Sequence, residues 1–278
     1  MIRTSMQLKA KVRNMSGGDS IKASILLRNY VMERFLERVA LSPYRDNFIL
    51  KGGMLVAAVV GLDTRATMDI DTTINALTLS KENAEKFIND IISVDVPDGM
   101  QFRIASVSDI MEGHDYPGIR FMLESHLDSM RQFIKIDIST GDVITPGAVE
   151  YSYKLMFEDR SIPIWTYNIE TLLGEKMETI MARGTTNTRM RDFYDIHILI
   201  HEQEIDYAIL KEAFQATSIK RGSENLIPLF DDIIKSIHTD SNMRNIWDKF
   251  KRDNFFVGDI SWDDVNRSVK ELKHKTFD

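Results

Sequence analysis

The sequence predicts a mixed α/β (α+β) chain in which strands and helices interleave first and a mainly helical part follows. Three observations carry this prediction. Apolar residues recur at helical spacing in Ser20–Leu41 and Lys81–Ile92. Strand-like alternation appears at Met68–Ile74 and again over 101–140. From Asn168 onward the pattern is mainly helical.

In chain order, Ile21, Ile25, Met32, Phe35, Leu36 and Val39 make one face of the first helix, which Ser42-Pro43 stops. Asn47–Leu50 reads as a short strand and Gly52-Gly53 breaks it. Met54–Val60 then reads as a compact apolar helix and Met68–Ile74 as a strand. Ala84, Phe87, Ile88, Ile91 and Ile92 face inward from the next helix. Gln101–Ile110, Gly118–Leu127 and Gln132–Thr140 read as strands separated by turn residues. Further helices are expected at 168–183 and 189–200, with Gly184 as the stop of the first and Asn187 or Thr188 as the cap of the second.

Composition narrows the classes. At 278 residues the chain suits one large or two modest domains. With 43% hydrophobic and 28% charged residues it is a packed globular protein, not a disordered one. The absence of cysteine excludes disulfides, zinc–cysteine sites and thiol catalysis, and fits a reducing, cytoplasmic setting. The longest apolar run, Met54–Leu62, is far short of the roughly 18 residues of a membrane span. The opening MIRTSMQLKAKVR lacks a signal-peptide core.

The net charge is −7, yet residues 1–40 hold eight Lys/Arg against three Asp/Glu. Their interspersed spacing favours solvated faces of amphipathic helices, with a polyanion-binding arm as the sharper alternative. The net figure therefore does not exclude nucleic acid, although it disfavours tight, sequence-independent coating of RNA.

The chemistry concentrates in two places. On a strand Asp69 and Asp71 share one face about 7 Å apart while Ile70 points to the other. In Phe133–Ser139, Ile134, Ile136 and Ile138 share a face and Asp137 takes the opposite one. Three converging carboxylates make a hard-oxygen site suited to Mg²⁺, with substrate phosphates completing the shell. Gly52-Gly53, opening a helix, would present backbone N–H groups to a triphosphate. Each part alone is weak, since a D-x-D also occurs at solvated strand edges and a Gly-Gly is most often a turn. The ordered combination is far more specific.

The second place is 168–200. Ile169, Leu172, Leu173, Met177 and Ile180 form an apolar stripe, and Lys176 falls about −20° from Ile169, inside it. Asp192 and Asp195 share a face of the following helix. A buried Lys–Asp pair tying two helices together and a lysine reaching nucleotide phosphates both account for this pattern.

With these residues in hand, the chain resembles the AbiEii/AbiGii-type nucleotidyltransferase toxins of bacterial abortive-infection (phage-defence) systems, within the DNA polymerase β-like nucleotidyltransferase superfamily. The matching stretches are NYVMERFLERVALSPYRDNFILKGGMLVAAVVGLDTRATMDID, FIKIDISTGDVITPGAVEY and YNIETLLGEKMETIMARGTTNTRMRDFYDIHIL, together roughly residues 20–200. The resemblance implies a nucleotidyltransferase-fold mixed sheet with flanking helices over 1–165, including a basic helical arm at about 1–42. A helical domain over 166–278 would contribute Lys176 and Asp192 to the site.

The implied reaction is Mg²⁺-dependent (Mn²⁺ being the other candidate) transfer of a nucleoside monophosphate from an NTP, releasing pyrophosphate. Gly52, Gly53, Arg65, Thr67, Lys176 and Asp195 would bind nucleotide. Asp69, Asp71 and Asp137 would bind metal, with Asp137 helping to activate the acceptor hydroxyl. Lys176 and Asp192 fall on the family's later motifs, and Arg65 and Thr67 fit its R-x-[ST]-x-D-x-D run. Where the wider superfamily often has Gly-Ser, this chain has Gly-Gly, so the backbone has one hydroxyl donor fewer beside it. Kinship further implies a tRNA or other RNA acceptor and a separate winged-helix repressor-type antitoxin, with no membrane partner. The alternatives are an inactive nucleic-acid-binding or regulatory protein on the same fold, and a metal-dependent phosphohydrolase.

The remaining residues carry no shared motif. His114, His126, His197, His201, His238 and His274 have no common spacing, and His197 reads as a packed histidine. Trp165, Trp247 and Trp262 read as core or interface anchors.

Overall fold

A computed structural model describes residues 2–110 and 118–277. His114 lies outside them. Ten helices and seven strands are present among the described residues: α1 (Ser5–Ser16), α2 (Ser20–Leu41), β1 (Phe48–Lys51), α3 (Gly52–Val60), β2 (Asp69–Ile74), α4 (Lys81–Ile92), β3 (Gln101–Ile110), β4 (Gly118–Leu127), β5 (Met130–Thr140), β6 (Val149–Lys154), β7 (Ser161–Thr166), α5 (Ile169–Arg183), α6 (Met190–Glu202), α7 (Tyr207–Lys220), α8 (Phe230–Thr239), α9 (Ser241–Asp253) and α10 (Trp262–Phe277). The mixed α/β class is as the sequence predicts. Among the described residues no helix is long and apolar enough to cross a membrane.

The chain divides into two units. The first comprises residues 1–62, 66–142 and 149–166, and the second 63–65, 143–148 and 167–278.

The first unit is built on one seven-stranded sheet ordered β3-β4-β5-β2-β1-β7-β6. β2 runs parallel to β5 and antiparallel to β1, and β1 runs parallel to β7. One face of the sheet is apolar. Ile119, Phe121, Leu123, Ile134, Ile136 and Ile138 are buried there, and Phe35 of α2 lies 6.0 Å from the Phe48 ring of β1. The hydrophobic gain of that face is what fixes the register, because a one-residue slip would turn it to solvent.

α2 starts where the Asp19 carboxylate accepts the N–H groups of Ile21 and Lys22. It is buried almost all round from Tyr30 to Val39, charges included. Arg38 donates to both oxygens of Asp98, at 2.8 and 3.0 Å, and to the carbonyl of Met100. Arg34 pairs with Glu37 and Glu158. Two of the basic residues expected on an outward arm are therefore internal ion pairs, while Lys9, Lys11 and Arg13 of α1 remain exposed.

Strands β6 and β7 have no counterpart in the sequence reading, and α1 falls within the expected helical arm, as α7 to α10 fall within the helical part, without separate bounds. Pro163 interrupts the alternation that would have marked β7. The fold tolerates it because β7 meets β1 only at Trp165 and Thr166, beyond the proline. α1 carries too weak an apolar stripe to announce itself, with only Leu8 and Val12 as buried hydrophobic residues.

The second unit is helical. Asn168 caps α5 by accepting the N–H of Thr171. Gly174 lets α5 and α7 meet closely: a Cβ there would lie 3.0 Å from the Phe214 nitrogen. Phe193, Trp247 and Trp262 fill the packing among α6, α9 and α10. Neither Asn187 nor Thr188 caps α6. The Asn187 side chain accepts the Arg189 N–H and closes the preceding turn instead.

Candidate active site

The first unit brings the three aspartates expected from the sequence to bind metal onto the sheet face opposite the apolar one. The parallel register of β2 and β5 sets Asp69 beside Lys135 and Asp71 beside Asp137. Lys51, the last residue of β1, lies in register with Asp71 on the other side. Gly52 and Gly53 follow at once as the first two residues of α3, and no side chain caps that helix start.

The closeness of this turn to the acids explains the glycine. Gly52 has φ +66°, and a Cβ there would sit 2.8 Å from the Asp71 Cβ and 2.9 Å from its Cγ, with the carboxylate Oδ2 closer still. Only glycine accepts that backbone conformation at no cost and leaves room for the carboxylate.

Charge is arranged tightly around the three acids. The Lys135 ammonium lies 2.6 Å from Asp69 and 3.6 Å from Asp137. Arg120 of β4 grips Asp137 with two bonds of 2.8 Å. Lys51 pairs with Asp142 at 2.5 Å, and Ser139 also donates to that carboxylate. Asp71 sits among them. Burial, and then the negative charge of Asp69, push its carboxyl up to about 6, against the pull of Lys51 and Lys135. Thr67 is fully buried, and its hydroxyl lies 3.3 Å from the Asp69 carbonyl.

Among the described residues no three acidic or histidine side chains close on a single point as a finished metal cage. The donor set nonetheless fits divalent cations. Three carboxylates occupy adjacent positions on one face, and a cation beside Asp71 would favour the ionised form that burial first, and the charge of Asp69 second, disfavour.

Lys51, Lys135, Arg120 and Asp142 are absent from the sequence reading. Lys135 was legible, since it lies two residues before Asp137 and so on the same face of a strand. Arg120 was not, because only the pairing of β4 with β5 brings it to Asp137.

The second unit gathers the other four residues. The Lys176 ammonium donates to Asp192 at 2.9 Å and to Asp195 at 2.7 Å. Arg65 donates to Asp195 from Nε at 2.6 Å, and Arg189 lies 3.1 Å from Asp192. Arg65, Lys176, Asp192 and Asp195 are all buried. Burial alone would push Asp195 up, but Arg65 and Lys176 outweigh it and hold the carboxyl at about 2. The same balance, with Asp195 and Asp192 prevailing over desolvation, raises Lys176. This is the geometry of an ion pair tying α5 to α6. Among the described histidines, His197 is half-buried, bonded to Ser268 at 2.7 Å and lowered by burial, as a packed histidine should be.

Comparison with known proteins places the chain in a family. Residues 34–267 match the family model of the nucleotidyltransferase AbiEii toxin of type IV toxin–antitoxin systems. The chain belongs to that family. It is accordingly a nucleotidyltransferase of the AbiEii type, and the glycine pair and D-x-D strand lie inside the matched region. Two solved structures share the fold, a candidate nucleotidyltransferase from H. pylori and JHP933 from Helicobacter pylori. Each is 15% identical with a TM-score of 0.53 and covers 90% of this chain; the chain in turn covers 92% and 90% of theirs. No curated protein sequence matches significantly.

Proposed function

We propose that this AbiEii-family protein transfers a nucleoside monophosphate from an NTP to a hydroxyl of an RNA acceptor, tRNA above all, and that it is held in check in the cytoplasm by a separately encoded antitoxin of the winged-helix repressor type. The observation that carries the reading is the juxtaposition of Asp71 with both Asp137 and the Gly52 turn. It sets a carboxylate cluster beside an uncapped helix start, the two elements a metal–triphosphate needs.

In this reading Asp69, Asp71 and Asp137 hold divalent metal, Mg²⁺ by preference, whose chemistry is to neutralise phosphate charge and favour attack at the α-phosphorus. The N–H groups of Gly52 and Gly53 take phosphate oxygens, helped by the α3 dipole. Asp137 accepts the proton of the attacking hydroxyl, and Arg120 orients it by its two-bond grip. Thr67 steadies Asp69. A nucleotide-binding role for Lys176, with Asp192, Asp195 and Arg65 holding it, belongs to the same proposal and is tested by NTP affinity.

The test is incubation with each α-labelled NTP and Mg²⁺, with total tRNA or cell protein supplied separately. Label on tRNA with release of pyrophosphate supports the proposal. Label on protein, or release of orthophosphate alone, overturns it.

A further inference from the structure

The sheet face that carries the three aspartates continues beyond them. Strand alternation places Arg131, Phe133, Lys135 and Asp137 of β5 in one row, and Arg120, Met122, Glu124 and His126 of β4 in the next. Arg103 of β3 is in register with Glu124. From Asp137 to Arg131 this row runs six residues, about 20 Å.

Its chemistry changes along that length. Apart from the site aspartates, the rows hold four permanent cations (Arg103, Arg120, Arg131 and Lys135) and one acid, Glu124. Glu124 is buried and organises its neighbours. Arg103 donates to it at 2.6 Å, Arg131 lies 2.5 Å away and His126 2.7 Å away. One sunken carboxylate thus holds three basic side chains whose outer parts stay in solvent, with Arg103 67% and Arg131 56% exposed. Phe133 shows 38% of its surface in the middle of this group, and the Arg131 guanidinium lies over its ring at 4.8 Å. The ring stands open on the face opposite the one on which the same strand buries Ile134 and Ile136.

Exposed cations interleaved with an open aromatic ring are what a single-stranded nucleic acid recognises: phosphates on the guanidinium groups and a base on the ring. We infer that Arg103, His126, Arg131 and Phe133 form the track along which a single-stranded segment of the acceptor RNA reaches Asp137. The inference rests on the proposed RNA acceptor, and two facts select this occupant. The track is basic where it leaves the site, and it is continuous along β5 with Asp137, the carboxylate to which the proposed function gives the acceptor's proton.

The full chain is titrated against a short, labelled single-stranded RNA oligonucleotide and against total tRNA, as wild type and as Arg103→Ser, Arg131→Ser and Phe133→Ser. Each arginine variant leaves two basic partners on Glu124, and Phe133→Ser removes no ion pair, so the fold is retained. Each substitution is expected to weaken RNA binding, and to raise KM for tRNA, roughly tenfold while KM for NTP is unchanged. Removing both arginines should also lower the dependence of binding on log salt by about 1.4. If wild type and variants bind RNA equally, the track is wrong and the RNA acceptor stands. If the wild-type chain neither binds nor labels RNA, the acceptor reading fails and the track falls with it.

Discussion

Replacing Gly52 by alanine adds one methyl group at the point where backbone and carboxylate are closest. Two costs follow from the structure. The φ of +66° is a left-handed conformation, which costs a residue with a Cβ about 1–2 kcal/mol. The new methyl would also lie 2.8 Å from the Asp71 Cβ, an atom fixed to β2 that cannot rotate away. Relief needs a shift of the order of half an ångström or more in the turn or the strand, and displacements on that scale at a reacting centre cost up to about 100-fold in rate. Gly17 supplies the control. Its φ is +60° and a Cβ there meets nothing within 4 Å, so Gly17→Ala carries the backbone cost alone. Both variants are assayed for NMP transfer and for unfolding in urea. Gly17→Ala should lose about 1 kcal/mol of stability and no activity. Gly52→Ala should lose more stability and about 100-fold in transfer. Equal stability losses with near wild-type transfer by Gly52→Ala would refute the argument that Asp71 is placed by this contact.

Other perturbations separate the clusters. Asp69→Asn should abolish transfer while changing the melting temperature little, because losing the Lys135 pair offsets the removal of a negative charge beside Asp71; labelling at near wild-type rate would show that Asp69 holds no metal. Lys176→Met leaves Asp195 with Arg65 and Asp192 with only the half-exposed Arg189, and should cost about 3 kcal/mol in urea unfolding, the low end for a broken buried pair. A loss below about 1 kcal/mol would mean that the pair does not tie α5 to α6. Glu33 is buried against the Met156 N–H, and burial pushes its carboxyl from 4.5 up to about 8. The folded chain therefore keeps a proton that the unfolded chain has lost above about pH 4.5, and the stabilisation present in acid is lost as pH rises through about 8. Stability should fall by up to about 1.4 kcal/mol per pH unit across that window, and Glu33→Gln should flatten the slope; an unchanged slope in the variant assigns the effect to another group.

Much of the site was legible because it depends on short-range periodicity. A period of two puts Asp69 and Asp71 on one face and sets Asp137 against its isoleucines. A period of 3.6 puts Lys176 inside an apolar stripe. Helices at 20–41 and 81–92 and strands at 101–110 and 118–127 lie where these patterns place them. The basic surplus of residues 1–40 was visible as a number but not as a surface. Burial of Arg34 and Arg38 depends on Glu158 and Asp98, acids 124 and 60 positions away.

The sequence by itself determined which chemistry is present: the acids, the glycine turn, the buried lysine, and the family that joins them. Only the tertiary structure decided who faces whom. The β2–β5 register matches Asp71, not Asp69, with Asp137 and gives Asp69 to Lys135. The β4–β5 pairing delivers Arg120 and builds the basic row around Glu124. Arg65 and Thr67, two residues apart, serve different clusters, one bonded to Asp195 and the other to Asp69. The physical reason is common to the first two. Side-chain periodicity is a property of one segment, whereas register is set by the burial of an entire sheet face, to which residues far apart in the chain contribute together.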